Sequence, residues 1–333
     1  MRHRMIGMAV ALATVAALVF VSTPGTGAST ASLVSRHGAA GKVVIGLSVK
    51  TLTDDPFQAA WVAAAKKELA KLGASADLLV AGGEQNSEQQ VSQIQDMITA
   101  HVNGMIVDPI DTSAVIPVLR RAKAAHIPVI LVDVGIASSY RNLYQTYIST
   151  DQVGACKELG TYLADLLGPT GKVALMEGGG DNIVGIERDQ GFTEGLATKG
   201  IKPVSEVAGD MDDSTAFSEM QNVLTAQPNL NGVLIASDVM LDGVLQALAD
   251  AHDTGVKVAS MDGSSVGIEA IIQGKAVADQ TQNPGEMGTL GAEDIVGIAT
   301  GAIKSGSLPA FINSGTVTVT KADAKAALKT AFS

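Results

Sequence analysis

The chain has 333 residues, 46% of them hydrophobic, which exceeds one ordinary core and suits two domains. A formal net charge of −11 excludes nucleic acid and anionic membrane as natural partners and otherwise reads as a solubility device. Cys156 is the only cysteine, so a disulfide framework and a thiolate metal cluster are both excluded.

At the N-terminus, Arg2 and Arg4 precede an apolar run over residues 5–21, and Thr26-Gly27-Ala28 supplies small residues for cleavage. Residues 1–28 therefore read as a secretory signal peptide, with an uncleaved anchor as the alternative. The apolar run is slightly short for a membrane span of about 20 residues. No cysteine follows it to carry a lipid. Removing two arginines and no acid moves the net charge from −11 to −13.

From Lys42 onward, short apolar runs alternate with amphipathic ones. Residues 43–49 read as a strand, 56–72 as a helix ending at Gly73, and 76–81 as a second strand. Asp55 stands at an N-cap position and Pro56 at the first helical position, where a missing N–H costs nothing. Ser87 and Gln90 have capping-box spacing ahead of a helix with Val91, Ile94, Met97 and Ile98 on one face. Strand 104–107 runs into Asp108-Pro109, helix 113–125 follows, and strand 128–132 ends at Asp133. The pattern then restarts: strand 147–149, helix 151–167, strand 172–176, helix 186–199, strand 204–207, helix 214–226 and strand 232–236. Helix 241–251, strand 256–261, strand 276–281, helix 284–300 and a last strand near 316–320 complete the chain. Repeated β-α units with buried strands specify an α/β fold of two similar, doubly wound parallel-sheet lobes.

Polar side chains fall repeatedly at strand ends: Asp55, Asp133, Ser237, Asp262 and Gln282. In open α/β sheets, ligands bind in the crevice beyond the carboxyl ends of the strands. An ionised carboxylate only accepts hydrogen bonds, through two oxygens, which suits vicinal hydroxyl donors. Arg188 adds donors in a fixed fork, and Phe57 adds an aromatic face for the apolar side of a sugar. Together these residues describe a pocket for a small, neutral, polyhydroxylated molecule.

Each has a plainer role beside it. Asp55 caps a helix, which is compatible with ligand contact; Asp133 and Asp262-Gly263 are also turn residues; Arg188 has Glu187 and Asp189 as surface partners. Phe57 and Trp61 lie one helical turn apart, and Trp61 is assigned to the core and Phe57 to the cleft. Lys50 and Asp54 are assigned to the rim, or to each other in solvent. Asp111, Asp151 and Asp238 are read as helix caps, and Cys156 as a buried free thiol. Gly178-Gly179-Gly180 lacks both the dinucleotide-binding spacing and a P-loop lysine, so it reads as a turn allowing close approach. The five histidines form no metal-ligand spacing, and no cofactor is implied.

Taken in order, six segments carry a resemblance. They are residues 51–57 ending in Pro-Phe, 129–133 ending in Asp, Arg188 to Gly191-Phe192, 236–240, Met261-Asp262-Gly263, and Gln282 with Pro284. The chain resembles the ribose-binding-protein-like (type I) periplasmic solute-binding proteins of ABC sugar importers over nearly its whole length after the signal segment. The resemblance implies two lobes joined by a three-crossing hinge, with sugar held between them and the lobes closing on it. It places one lobe at 41–149 plus 283–313 and the other at 150–282 plus 314–333. It puts sugar contacts on Asp55, Phe57, Asp133, Arg188, Ser237, Asp262 and Gln282, with Gln58 and Met211 where the ribose binder has aromatic walls. Departures are Asp55 for Asn, Gln58 for Phe, Val134 for Arg, Ser237 for Asn and Met211 for Phe. Such a pocket loses two aromatic walls and a cation and gains an acid, which favours a smaller or acyclic polyol or a different monosaccharide over a sandwiched pyranose.

The resemblance further implies an exported monomer that passes sugar to a membrane permease. Alternatives are a sensing component for chemotaxis or a histidine kinase, with the same fold and ligand, and a secreted glycosidase using Asp133 and Asp262 as paired carboxylates. Nothing in the sequence gives either acid the apolar setting of a proton donor. A sugar-responsive repressor would need an N-terminal helix-turn-helix where the signal segment stands.

Overall fold

A computed structural model of the chain describes residues 42–53, 55–83, 85–179, 183–253 and 255–332. The expected signal segment, residues 1–28, and Asp54 and Gly180 lie outside the described residues. Among the described residues no helix is long and apolar enough to cross a membrane.

In chain order, the first series comprises β1 (Val44–Val49), α1 (Pro56–Lys71), β2 (Ser75–Val80), α2 (Ser87–Thr99), β3 (Gly104–Val107), α3 (Ile116–Ala124), β4 (Val129–Val132) and β5 (Tyr147–Ser149). The second comprises α4 (Gln152–Leu167), β6 (Val173–Glu177), α5 (Ile183–Ala197), β7 (Ser205–Ala208), α6 (Asp213–Ala226), β8 (Gly232–Ile235), α7 (Leu241–Asp250), β9 (Lys257–Asp262), α8 (Ser265–Gln273) and β10 (Ala278–Thr281). Then α9 (Pro284–Thr300), β11 (Phe311–Asn313), β12 (Thr318–Thr320) and α10 (Ala324–Ala327) close the chain.

The strands form two six-stranded sheets, ordered β2-β1-β3-β4-β5-β11 and β7-β6-β8-β9-β10-β12. Each order reverses after its first strand in sequence, so each sheet has a switch point at which adjoining loops part and leave a crevice. Every pairing is parallel except β10 with β12, which is antiparallel. The chain passes between sheets after β5, after β10 and after β11.

The central strands are apolar and buried along their length: Met105, Ile106, Ile130, Leu131, Val233 and Leu234 are each 0% exposed. That is the pattern expected when helices cover both faces. Helix α9 packs on α1 at Gly288, where a Cβ would lie 2.1 Å from the Trp61 carbonyl oxygen. In the second series, a Cβ on Gly191 would lie 2.4 Å from the Val153 carbonyl, so the glycine of Arg188–Phe192 serves the close packing of α5 on α4. Trp61 and Cys156 are buried as expected, and burial pushes the Cys156 thiol up.

Three features differ from the periodicity. Helix α8 is capped by Ser264, whose Oγ accepts from Gly267 N at 3.3 Å, and is ended by Gly274 in the left-handed conformation. It is short and follows directly on an Asp-Gly turn, which masks its start. Strand β11 is three residues without an apolar run and exists only by pairing with β5. The capping box at Ser87 does not form: Asn86 is the N-cap residue, and Gln90 turns inward to bond Asp108 O and Ile110 N.

Candidate binding cleft

The strand ends of the first sheet converge on a buried ion network. Lys50, at the end of β1, is 6% exposed, and its Nζ lies 3.3 Å from Asp133 Oδ2 and 3.4 Å from Asp108 Oδ1. Lys50 is therefore not a rim residue but the floor of this cluster. Asp108, following β3, is fully buried and accepts from Gln58 Nε2 at 2.5 Å. Gln58 is itself 1% exposed and accepts from Trp61 Nε1 at 2.8 Å. Its amide is thus bonded on both sides within the protein and anchors Asp108 instead of opening toward a ligand. Val134 is buried, and the positive charge beside Asp133 comes from Lys50 at the end of β1, two strands away from β4.

Asp133 follows β4 with φ of 58°, a left-handed conformation uncommon outside glycine. Tyr147 OH and Ser149 Oγ, both from β5, donate to its carbonyl oxygen at 2.7 Å and hold it there. Such strain persists where surroundings over-determine it. Asp55 accepts from Gln58 N at 3.1 Å and so caps α1. Phe57 is half-buried and meets Phe332 edge-on, with ring centroids 5.8 Å apart at 81°. Phe332 is fastened to the second series through its carbonyl, which accepts from Ser265 N at 2.8 Å.

The second sheet gathers its strand ends around Asp262, which closes β9 with φ of 139°. Its Oδ1 lies 3.1 Å from an Arg188 terminal nitrogen and accepts from Gln282 Nε2 at 2.8 Å. Its Oδ2 accepts from Ser237 Oγ at 2.6 Å and from Asp238 N at 3.1 Å. Arg188 is 3% exposed; its Nε donates to Gln152 Oε1 at 2.9 Å, and the same terminal nitrogen donates to the Ala236 carbonyl. Gln152 Nε2 in turn donates to Gln282 Oε1 at 3.1 Å, completing a ring of four side chains. Burial works against the Arg188 cation, yet the charges of Asp262 and, from the first cluster, Asp133 outweigh it and raise its pKa.

Met211 stands apart from this constellation. It has φ of 53° and packs over Gly178, where a Cβ would lie 2.5 Å from its methyl carbon. Asp111 is not the helix cap expected, since it accepts from Ser113 N at 2.7 Å and Ala114 N at 2.8 Å in the turn before α3, whose N-cap is Val115. Asp151 is a cap, as expected, accepting from Gly154 N at 3.0 Å. Asp238 is not: Ser237 caps that turn, and the Asp238 carboxylate is buried behind the cleft. Asp108, Gln90 and Gln152 escaped the sequence reading. Asp108 had a signal, a strand end like the others; the two glutamines had none, since helix periodicity does not distinguish a polar residue turned inward. Among the described residues no group of His, Cys, Asp and Glu has metal-holding geometry.

Two doubly wound sheets of the same strand order, each gathering an acid, a cation and amides at its strand ends, define a two-part α/β ligand-binding protein. A family model described as a periplasmic binding protein domain matches residues 45–303. The ribose import binding protein of Escherichia coli is 31% identical over 252 residues, 76% of this chain and 83% of that protein. An ABC transporter solute-binding protein from Mycobacterium smegmatis, solved with bound glycerol, is 31% identical with a TM-score of 0.77, covering 86% of this chain and 96% of that one. Another, from Actinobacillus succinogenes with bound D-allose, is 27% identical with a TM-score of 0.80, covering 86% and 100%. The chain belongs to the periplasmic binding protein family.

Proposed function

We propose that this protein captures a neutral monosaccharide or sugar alcohol between two lobes, 41–149 plus 283–313 and 150–282 plus 314–333, and presents it to an ABC importer. The observation that carries this reading is the pair of strand-end acids, Asp133 and Asp262, each at positive φ and each backed by a buried cation. Carboxylate acceptors beside amide and guanidinium donors match the mixed donor and acceptor character of a polyol. Because the two clusters come from different sheets, a ligand that touches both has the differential affinity for a closed state that a population shift requires. The ligands of the relatives, ribose, D-allose and glycerol, are of the same chemical class. Export by the N-terminal segment, a monomeric state and recognition of the closed form by a membrane permease complete the proposal.

The ligand contacts proposed are Asp55, Phe57, Asp133, Arg188, Ser237, Asp262 and Gln282. With Gln58 engaged by Asp108 and Met211 over Gly178, neither offers an aromatic wall, which supports a small or acyclic polyol. A thermal-shift panel of pentoses, hexoses and alditols tests this. An alditol or small sugar should give the largest upward shift. A largest shift with D-ribose and none with alditols overturns the preference, and no shift with any member overturns the function.

A further inference from the structure

Behind the second cluster lies a buried acid pair that the cleft contacts leave unexplained. Asp279, on β10, is 0% exposed and Asp238 is 6% exposed. Asp238 accepts from Ser260 Oγ at 2.6 Å through Oδ1, and from Ser264 N at 2.9 Å and Ser264 Oγ at 2.6 Å through Oδ2. Asp279 Oδ1 accepts from Gly263 N at 3.1 Å, whereas its enclosed Oδ2 has no donor among the described residues. That oxygen faces Asp238 across Gly267: a Cβ there would lie 1.9 Å from Asp279 Oδ2 and 2.5 Å from Asp238 Oδ2. Ionised carboxylates only accept, so two such oxygens placed side by side in a dry interior require a proton between them.

We propose that Asp279 and Asp238 share one proton, and that this carboxyl–carboxylate pair is the positioning element that holds the 262–264 turn and so sets Asp262 for ligand binding. The inference rests on the proposed role of Asp262 in the cleft. Donor count assigns the proton. Asp238 already receives three hydrogen bonds and is the anion, so Asp279 keeps the proton on Oδ2 and donates it to Asp238. Burial pushes both acids up, and each is raised further by its acidic neighbours. The charged groups acting on the pair are Asp262, at the end of β9, and Arg188 of α5, which neutralises Asp262 from its far side. Helix α8 faces the pair with its N-terminal backbone at Gly267, while its Glu269 points to solvent.

The mechanical consequence is direct. The pair grips both residues that follow Asp262 through Gly263 N, Ser264 N and Ser264 Oγ, and Asp238 N bonds the Asp262 carboxylate itself. Ionising Asp279 would set two buried anions against each other and loosen the turn that keeps Asp262 at its strained φ.

Carboxyl carbon NMR of the full chain, labelled at aspartate Cγ, reads the proton without any ligand. One aspartate should keep the protonated carboxyl position at pH 7 and vanish in Asp279→Asn; an Asp279 that is ionised at pH 7 overturns the proposal. Calorimetric titration with D-ribose, D-allose and glycerol reads the positioning. Asp279→Asn, which still donates to Asp238, should stay within about threefold of the unmodified protein, and Asp279→Ala, which cannot bridge, should weaken binding at least tenfold. Equal affinities for Asp279→Ala and the unmodified protein overturn the positioning role. If Asp279→Ala fails to fold, a tenfold loss in Asp279→Asn overturns it instead. Absence of binding by every sugar, with the protonated signal present, refutes the proposed function and supports the shared proton.

Discussion

Asp133 and Asp262 both end a buried parallel strand at positive φ, yet their carboxylates are in opposite conditions. Asp262 accepts from four groups, Arg188, Gln282, Ser237 and Asp238 N, which fills the lone-pair positions of an ionised carboxylate. Asp133 is met at its Oδ2 by Lys50 at 3.3 Å, and its other oxygen has no partner among the described residues. The second cluster is thus a preassembled array in which Asp262 holds its donors, above all Arg188, in place. The first is an open acceptor on a charged floor. Under the proposed function, Asp133 contributes by direct contact and Asp262 mainly through the groups it holds.

The strongest way to break this contrast is Arg188→Ala. Removing the buried cation leaves Asp262 uncompensated and should cost about 3–5 kcal/mol of stability, read by urea unfolding, and Arg188→Lys should not restore it because lysine lacks the fork. A loss similar to that of an exposed pair would show that Asp262 is not held as described. Next come the acids themselves. Asp262→Ala should weaken sugar binding more than tenfold, about 1.4 kcal/mol or more, and also lower the melting temperature, since Arg188 loses its partner. Asp133→Asn should weaken binding by a similar factor with little change in melting temperature. Matching stability losses in the two variants would erase the distinction.

A smaller effect concerns pH. Burial, reinforced by Glu177, pushes Asp189 up to about 7 against the opposing charge of Arg188, and its Oδ1 is enclosed without a partner among the described residues. The native state therefore holds this proton more tightly than the unfolded chain, so the contribution is present in acid and is lost as pH rises from about 4 to about 7. Asp189→Asn should raise the melting temperature more at pH 8 than at pH 5; equal gains at both would exclude the linkage. The smallest change is expected at the contact joining the two regions. Phe332→Ala should weaken sugar binding by about 0.5–1.5 kcal/mol, the worth of an edge-on aromatic pair. The loss should be absent in a Phe57→Ala background when the two are compared by calorimetry.

Much of this protein is legible in its sequence. Apolar runs bounded by Gly, Pro and Asp determine the strands and their parallel, buried character, because a strand covered on both faces must be apolar throughout. The positions of Asp133, Ser237, Asp262 and Gln282 at strand ends follow from the same pattern, and so does the burial of Trp61 and Cys156. Only the tertiary structure decides which polar residues face a ligand and which face one another. Lys50 and Gln58 lie close in the chain to Asp55 and Phe57, but Lys50 reaches Asp133, 83 residues away, and Gln58 reaches Asp108, 50 residues away. Asp238 and Asp279 become neighbours only because β8, β9 and β10 lie side by side. Periodicity reports the face a residue occupies on its own element. The partner it meets there, and hence its charge state and capacity for a ligand, depends on strands brought together from distant parts of the chain.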